Sequence, residues 1–143
     1  MEKEIKILLV EDNPGDVLLI TEAFSEILIN DIEVAIDGQD ALDLLLKKGK
    51  YEDHETPDII LLDLNLPKRS GPEVLEVIKN NDKLKHIPVI ILTSSQAEID
   101  IVKTYDLHAN SYVIKPLDFD DLLTVVRSIR DFWFKVVKLP PKS

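Results

Sequence analysis

The sequence predicts a doubly wound α/β domain, in which helices cover both faces of a five-stranded parallel sheet. Five short runs of aliphatic residues alternate with longer stretches whose apolar positions recur at helical spacing. The run at residues 59–62 is apolar throughout, which indicates a strand buried on both faces, because a half-exposed strand alternates with polar residues. The chain has no internal repeat, low-complexity segment or linker, so all of these elements are assigned to one domain.

The predicted order is strand then helix, five times over. The strands are predicted at residues 5–10, 32–36, 59–63, 87–92 and 111–114. The helices that follow them are predicted at about 17–29, 40–48, 73–80, 97–105 and 118–137, with Asp118 as the last N-cap. Asp37 and Gly38 are predicted to form a turn, and residues 50–56 a surface loop. The single domain is expected to span residues 1–143, with a core at about 4–131 and a C-terminal helix extension and tail at about 132–143.

Composition excludes several classes of function. The chain has no cysteine, so disulfides and thiolate metal sites are not available to it. A formal net charge of -10 argues against nucleic-acid binding, which depends on lysine and arginine at phosphates. No apolar run approaches the ~18 residues of a membrane span, and the N-terminal residues are too polar for a signal peptide. We therefore expect a cytoplasmic protein that acts without nucleic acid or membrane.

Chemically active side chains follow four of the predicted strands. An acidic pair, Glu11 and Asp12, comes after the first strand, and Asp63 comes after the third. Thr93 follows the fourth strand and Lys115 the fifth. If the strand order is the common 2-1-3-4-5, the first and third strands are neighbours at the switch point, where such folds bind their ligands. Glu11, Asp12 and Asp63 are then expected to share one crevice.

This set of residues predicts a metal-assisted phosphoryl site. Three carboxylates within ~4–6 Å repel one another unless a proton or a cation is present. Oxygen ligands alone suit a hard ion, so Mg²⁺, or Mn²⁺, is the expected cofactor. Lys115 and Thr93 supply an ammonium group and a hydroxyl group that can contact phosphoryl oxygens, while an aspartate oxygen attacks the phosphorus.

On these motifs the chain resembles the receiver domains of two-component response regulators. The acidic pair, the acceptor aspartate, the threonine and the Lys115-Pro116 pair occur in the family's order at successive strand ends. The resemblance covers essentially the whole chain and implies a flavodoxin-like sheet of order 2-1-3-4-5. It also implies that a sensor histidine kinase phosphorylates Asp63.

The same resemblance implies the remaining roles. Asp12, Asp63 and the backbone carbonyl of Asn65 would bind the metal directly, and Glu11 would act through a metal-bound water. Thr93 and Lys115 would contact the phosphoryl oxygens.

Two further roles rest on the resemblance alone. Tyr112 would be the aromatic switch that turns inward when Thr93 moves. Pro116 would follow a cis peptide bond, which proline makes accessible.

A narrower resemblance links the chain to the response regulators that partner phytochrome-type histidine kinases. It rests on the segment 11–16, the loop at 50–56 and the aromatic tail around residues 132–140. In that group the extended last helix contributes to homodimerisation. The apolar residues of this helix form one buried stripe, which consists of Phe119, Leu122, Val126, Ile129, Trp133 and Val136. A second line runs through Val125, Phe132 and Leu139, so we expect Phe132, Trp133 and Phe134 to form a homodimer interface. The alternative is that Phe132 and Phe134 fold back on their own domain.

The expected function is that of a stand-alone, phosphorylation-activated switch of protein–protein contacts. The only chemistry expected is self-catalysed phosphoryl transfer and autodephosphorylation, so the chain is not predicted to be an enzyme in the usual sense. A receiver-like dimerisation scaffold that is never phosphorylated is one alternative. A Mg²⁺-dependent phosphatase with an aspartate nucleophile is another, and a flavodoxin-type cofactor binder is disfavoured because Glu11 and Asp12 would repel the cofactor phosphate.

Individual residues also have simpler interpretations. Asp16 is predicted to act only as a capping acid at the start of the first helix. The three histidines, His54, His86 and His108, lie in predicted loops or element ends and are expected to be solvent-exposed.

Overall fold

The computed structural model describes residues 4–104, 107, 109–115 and 118–138. Five strands are formed, at β1 Ile7–Val10, β2 Ile32–Ala35, β3 Ile59–Leu62, β4 Val89–Thr93 and β5 Ser111–Ile114. Five α-helices follow them, at α1 Pro14–Glu26, α2 Gly38–Leu45, α3 Gly71–Lys79, α4 Gln96–Thr104 and α5 Phe119–Lys138. The predicted alternation of strand and helix is confirmed.

The strands form one parallel sheet of order β2-β1-β3-β4-β5. This is the predicted doubly wound topology. Val10 pairs in register with Leu62, so the residues that follow these two strands leave the sheet at the same height. The first acidic pair and Asp63 are therefore brought side by side by strand pairing.

Helix α1 begins three residues before its predicted start. The Asn13 side chain accepts a hydrogen bond from the Asp16 backbone amide, and Pro14 occupies the first turn, where its missing N–H group costs no helical bond. The helix ends in a Schellman motif, with Leu28 donating to Ser25 and Ile29 to Phe24. Leu28 has a φ of 65° there, the left-handed conformation that this helix ending requires.

Helix α2 includes Gly38, which the sequence pattern assigned to a turn. The Asp37 side chain caps this helix by accepting from the Asp40 amide at 2.7 Å. A Cβ atom at Gly38 would clash with the carbonyl of Arg69, so the close approach of two backbones explains this glycine. The predicted loop after α2 contains a short 3-10 helix at Gly49–Tyr51, and Tyr51 is buried.

The core lies on both faces of the sheet. One apolar cluster joins the sheet to α2, α3 and α4, and the other joins it to α1 and α5. The buried stripe of α5 consists of Leu122, Val126, Ile129 and Trp133, with Phe119 partly buried against the same cluster. These five residues match the predicted stripe, and the side chain of its sixth member, Val136, lies outside the described residues.

In the part of the chain that the structure describes, we find no helix with both the length and the apolarity to cross a bilayer.

Candidate functional site

Three carboxylates converge at the carboxyl end of β1 and β3. One oxygen from each of Glu11, Asp12 and Asp63 lies within 4.8 Å of the other two. Glu11 and Asp63 are buried, at 1% and 7% exposure, whereas Asp12 is exposed. The structure thus brings together the three acids that the sequence assigned to one crevice.

Lys115 supplies the positive charge at this cluster. Its ammonium donates to Glu11 Oε1 at 2.6 Å and to Asp63 Oδ2 at 3.1 Å. It makes a third hydrogen bond, at 2.8 Å, to Asp16 Oδ2 on α1. Only 13% of the Lys115 side chain is exposed, so the ion pairs are shielded from solvent. The backbone amide of Lys115 also donates to the carbonyl of Thr93 at 2.8 Å, which ties the end of β5 to β4.

The electrostatics of the cluster follow from burial and mutual charge. Burial raises the pKa of Glu11, to about 7, and the nearby Asp63 charge adds to this rise, while the hydrogen bond from Lys115 opposes it. Burial alone would lower the pKa of Lys115, but its bonds to Asp16 and Glu11 and the Asp63 charge outweigh burial and raise it. Lys115 is therefore a permanent cation among acids.

Backbone amides orient two of these carboxylates. The Asn65 amide donates to Asp63 Oδ1 at 3.0 Å, and the Asn13 amide donates to Glu11 Oε2 at 3.2 Å. Each acid thus presents one oxygen to the backbone and the other to Lys115. The Asn65 contact uses its N–H group, whereas its carbonyl was the group predicted to bind metal.

The predicted phosphoryl-contact and switch residues lie on the neighbouring strands. Thr93 is fully buried at the end of β4, and its hydroxyl oxygen accepts from the Ser95 amide at 3.4 Å. Tyr112 on β5 is half-buried, and its hydroxyl accepts from the Ala109 amide at 3.2 Å. The Lys103 ammonium lies 4.8 Å from the centre of the Tyr112 ring. Pro116 lies outside the described residues, so its peptide bond stays a prediction.

The aromatic residues predicted for the interface have unequal surroundings. Trp133 is 7% exposed and belongs to the core cluster of its own domain. Phe132 is half-buried, and Phe134 is 38% exposed, with its ring 5.5 Å from that of Trp133. An intermolecular contact here would therefore depend on Phe132 and Phe134, since Trp133 is already covered.

Two residues near the site were not assigned to it from the sequence. Asp16 lies in the first turn of α1, as expected, but Asn13 is the cap, and the Asp16 carboxylate binds Lys115 instead. Glu98 on α4 has a buried oxygen, Oε2, with no partner among the described residues. Burial and the Asp63 charge raise the pKa of Glu98. The contact between Asp16 and Lys115 spans 99 residues of sequence, and no local pattern could have predicted it.

The predicted histidines differ in exposure. His86 is exposed as expected, whereas His54 is half-buried, stacks edge-on against Tyr51 and lies 3.2 Å from Glu33. His54 is therefore less exposed than predicted, because the 3-10 helix places Tyr51 against it. His108 lies outside the described residues.

The donor set at the strand ends fits a hard divalent cation. The cluster offers one carboxylate oxygen from each of three acids, the ligand type that Mg²⁺ and Mn²⁺ prefer, and two of the three carboxylates are buried. In the absence of a cation, Lys115 provides the only positive charge that these described acids contact directly.

Comparison with known families identifies this arrangement. A family model for the response regulator receiver domain matches residues 7–127. The chain belongs to this family. The resemblance inferred from the strand-end motifs is thereby confirmed, and the match covers every strand, helices α1 to α4 and the first part of α5.

Similar receivers include phytochrome response regulators. The response regulator Rcp1 of Synechocystis sp. is 44% identical over 135 residues, which cover 94% of this chain and 92% of Rcp1. The crystal structure of the phosphorylated cyanobacterial phytochrome response regulator RcpA matches with a TM-score of 0.85 and 42% identity, over 96% of this chain and 99% of RcpA. The Mn²⁺-bound form of Rcp1 matches with a TM-score of 0.82 and 43% identity, over 95% and 99% of the two chains.

These similarities establish the receiver as a response regulator that signals through phosphorylation. The dimerisation scaffold and the phosphatase considered from the sequence are not favoured. Receivers of this group bind a divalent metal, as in Mn²⁺-bound Rcp1, and the acidic cluster offers the matching oxygen ligands.

Proposed function

We propose that Asp63 is the phospho-acceptor and that it takes its phosphoryl group from a sensor histidine kinase in a Mg²⁺-dependent reaction. The observation that carries this proposal is the position of the Asp63 carboxylate: it is buried, one oxygen is fixed by the Asn65 amide, and the other faces Lys115 at 3.1 Å. Oδ2 of Asp63 attacks phosphorus, a P–O bond forms, and the P–N bond to the kinase histidine breaks.

Each neighbouring group has a part in that step. Asp12, Asp63 and the Asn65 carbonyl would hold the metal, with Glu11 acting through a bound water. The metal supplies charge neutralisation for the phosphoryl oxygens when bound. Lys115 turns one of its donors from a carboxylate to a phosphoryl oxygen, and the Thr93 hydroxyl donates to another.

The output we propose is a shift between two conformations at the face formed by β4, β5 and α5. Thr93 lies at the end of β4, and the Lys115 amide bonds to its carbonyl, so movement at the phosphoryl group is transmitted to β5. Tyr112 on β5 would then change its position. A phosphoryl group that stabilises one of two existing conformations is sufficient for such a switch.

We propose a homodimer that uses the C-terminal half of α5. A groove of about 400 Å³ lies between β5 and α5, and its lining includes Val113, Val125, Ile129 and Phe132. Phe134 lies two residues beyond Phe132 and is partly exposed. Apolar surface of this kind is typical of the cores of protein interfaces. The domain would comprise a core at about 4–131 and this extension at about 132–143.

The remaining proposals concern context. The similarity to Rcp1 and RcpA supports a phytochrome-type histidine kinase as the phosphodonor. We place the protein in the cytoplasm, acting through protein contacts and without nucleic acid. Its own chemistry is limited to phosphoryl transfer onto Asp63 and hydrolysis from it.

The test is phosphorylation of the purified protein by acetyl phosphate with Mg²⁺, followed by intact mass. We expect the mass of one phosphoryl group, which disappears when the metal is chelated and in Asp63→Ala. Asp58→Ala is the matched control, since Asp58 is a second aspartate beside β3, at the opposite end of that strand, where it accepts from the Lys6 amide. If the wild type gains no mass, beryllofluoride with Mg²⁺ is tried in its place. An unchanged NMR spectrum with that analogue as well would overturn the proposal.

A further inference from the structure

Asp16 binds the lysine of the site from outside the set of predicted metal ligands. Its Oδ2 accepts from Lys115 Nζ at 2.8 Å, a shorter contact than the 3.1 Å between Lys115 and Asp63. The Asp16 side chain is 34% exposed, whereas that of Lys115 is 13% exposed. Asp16 thus approaches the lysine from the solvent side of the cluster.

The hydrogen bonds of Lys115 account for all of its donors. An ammonium group has three N–H bonds, and here they are directed to Glu11, Asp16 and Asp63. In the proposed reaction Glu11 contacts the metal through a water, and Asp63 binds the metal and carries the phosphoryl group. Asp16 has neither role, so it remains available to accept a hydrogen bond from Lys115.

Asp16 is held on a rigid element. Its backbone amide donates to Asn13 Oδ1 at 3.0 Å, which fixes it at the third position of α1. Helix α1 packs through Ile20, Ala23 and Phe24 into the same core cluster as α5. A carboxylate on such a packed helix can fix the position of the ammonium group of a flexible lysine side chain.

We propose that Asp16 is a positioning residue, which anchors the Lys115 ammonium beside Asp63 while the metal and the phosphoryl group occupy the other acids. This inference rests on the proposed function of Asp63 and Lys115, and it adds a residue to which the strand-end motifs give no such role. Without Asp16, the lysine keeps its charge but loses its fixed position. Loss of a fixed geometry slows transfer even when every reacting group remains.

The test compares three variants with the wild type. Asp16→Ala removes the acceptor, and Asp16→Asn keeps a carbonyl oxygen of the same reach but removes the charge. Asp121→Ala is the control, because Asp121 occupies the equivalent helix position in α5, with its amide bonded to the Asp118 side chain at 2.7 Å. The control therefore loses the same charge at the same turn of a helix, and Asp121 is not one of the three acids to which Lys115 donates.

The direct readout is the ¹⁵N ammonium signal of Lys115 in cold, Mg²⁺-loaded protein, assigned by its absence in Lys115→Gln. Hydrogen bonds slow the exchange of these protons with water, so an anchored lysine gives a visible signal. We expect the signal to persist in the wild type and Asp121→Ala, weaken in Asp16→Asn and vanish in Asp16→Ala. The rate of phosphorylation by acetyl phosphate is expected to fall roughly tenfold in Asp16→Ala, and less in Asp16→Asn.

The two readouts separate the possible outcomes. An Asp16→Ala protein that keeps the Lys115 signal overturns the proposal, even if it is phosphorylated slowly, because the slower rate would then have another cause. If Asp16→Ala does not fold, an undiminished signal in Asp16→Asn overturns it equally. A wild type that takes no phosphoryl group and does not respond to beryllofluoride would contradict the proposed function, while the Lys115 signal would still decide whether Asp16 is the anchor.

Discussion

The backbone amide of Asn65 donates a 3.0 Å hydrogen bond to Oδ1 of Asp63, and this contact directs the other oxygen, Oδ2, toward the ammonium of Lys115. One oxygen of the Asp63 carboxylate is therefore held by a backbone amide, and the other is held by the ammonium group of a flexible side chain. Lys115 balances the acids when no cation is present. A metal and this lysine are thus alternative sources of the same positive charge.

We expect Lys115→Met to destabilise the metal-free protein by roughly 3–5 kcal/mol, because buried acids lose their counter-charge. Mg²⁺ should recover more stability in the variant than in the wild type, since a bound cation replaces the missing ammonium and binding to the folded state adds to its stability. Urea denaturation with and without Mg²⁺ measures both effects.

Lys85→Met provides the comparison for that experiment. Lys85 pairs with Asp82 at 3.2 Å on the surface, and exposed pairs contribute only about 0–1 kcal/mol. Its stability should change little, and its response to Mg²⁺ should equal that of the wild type. Equal responses of the two variants to Mg²⁺ would show that Lys115 is not the counter-charge of the cluster.

Gly71 holds the segment after Asp63 close to α3. Its amide donates to the Leu64 carbonyl at 3.0 Å, and a Cβ atom here would lie 2.6 Å from the Asp63 carbonyl oxygen and clash with the Leu64 backbone. We expect Gly71→Ala to destabilise the fold by about 3 kcal/mol, because the backbone has nowhere to move. It should also shift the Asp63 and Asn65 amide signals in an NMR spectrum.

Gly15→Ala is the control for this substitution. A Cβ atom at Gly15 would lie 3.2 Å from the Asn13 side chain, so the nearest obstacle is a side-chain atom. Alanine also favours the helix, and we expect the stability to change by less than about 1 kcal/mol. A Gly71→Ala protein as stable as Gly15→Ala would mean that the approach of Gly71 to Leu64 is not obligatory.

The buried Tyr51 should make stability depend on pH in the alkaline range. Its hydroxyl donates to Asp40 Oδ1 at 2.6 Å, and this bond, with burial second, raises the pKa of Tyr51 to about 12 from 10. Because the folded-state pKa is the higher one, the stabilisation is complete below pH 10 and is lost as pH rises toward 12.

Tyr51→Phe tests this link. The variant should be less stable than the wild type by roughly 2 kcal/mol at pH 8, since it loses a hydrogen bond to a charged acceptor. The difference between the two proteins should narrow at pH 11, measured by urea denaturation at both values. If the wild type and Tyr51→Phe differ in free energy of unfolding by the same amount at pH 8 and pH 11, folding does not raise the pKa of Tyr51.

Substitutions of the adjacent residues Trp133 and Phe134 in α5 should affect different properties, the first the stability of the fold and the second the proposed dimer. Trp133 is buried in the core, and we expect Trp133→Ala to cost about 3–5 kcal/mol. Phe134 is 38% exposed and its ring contacts that of Trp133, so Phe134→Ala should cost about 0.5–1.5 kcal/mol but weaken the proposed dimer. Sedimentation velocity of the two variants makes the comparison, and a Phe134→Ala protein that dimerises as the wild type does would exclude this part of α5 from the interface.

The sequence predicted the sheet and the main cluster because both depend on local patterns. Apolar runs define strands, and the acids that follow β1 and β3 must meet once those strands pair in parallel. Helix starts were less accurate. Asn13 and Asp37 cap their helices before the first apolar residue, so periodicity alone placed α1 and α2 too late.

Contacts that join distant parts of the chain could not be predicted in this way. The role of Asp16 depends on Lys115, and the half-burial of His54 depends on a 3-10 helix that places Tyr51 beside it. Both residues have polar side chains in segments where exposure is the ordinary expectation. Only the assembled structure shows which polar side chains are drawn inward.

The interior position of β1 in the sheet has a consequence for the order of folding. This strand comes first in the chain, yet it pairs on both sides, with β2 and with β3. The carboxylates can therefore assemble once residues 59–63 are available, whereas Lys115 arrives 52 residues later. A chain that ends before β5 would gather mutually repelling acids with no lysine among them, so unfinished or truncated chains should be unable to close this end of the sheet without a divalent cation.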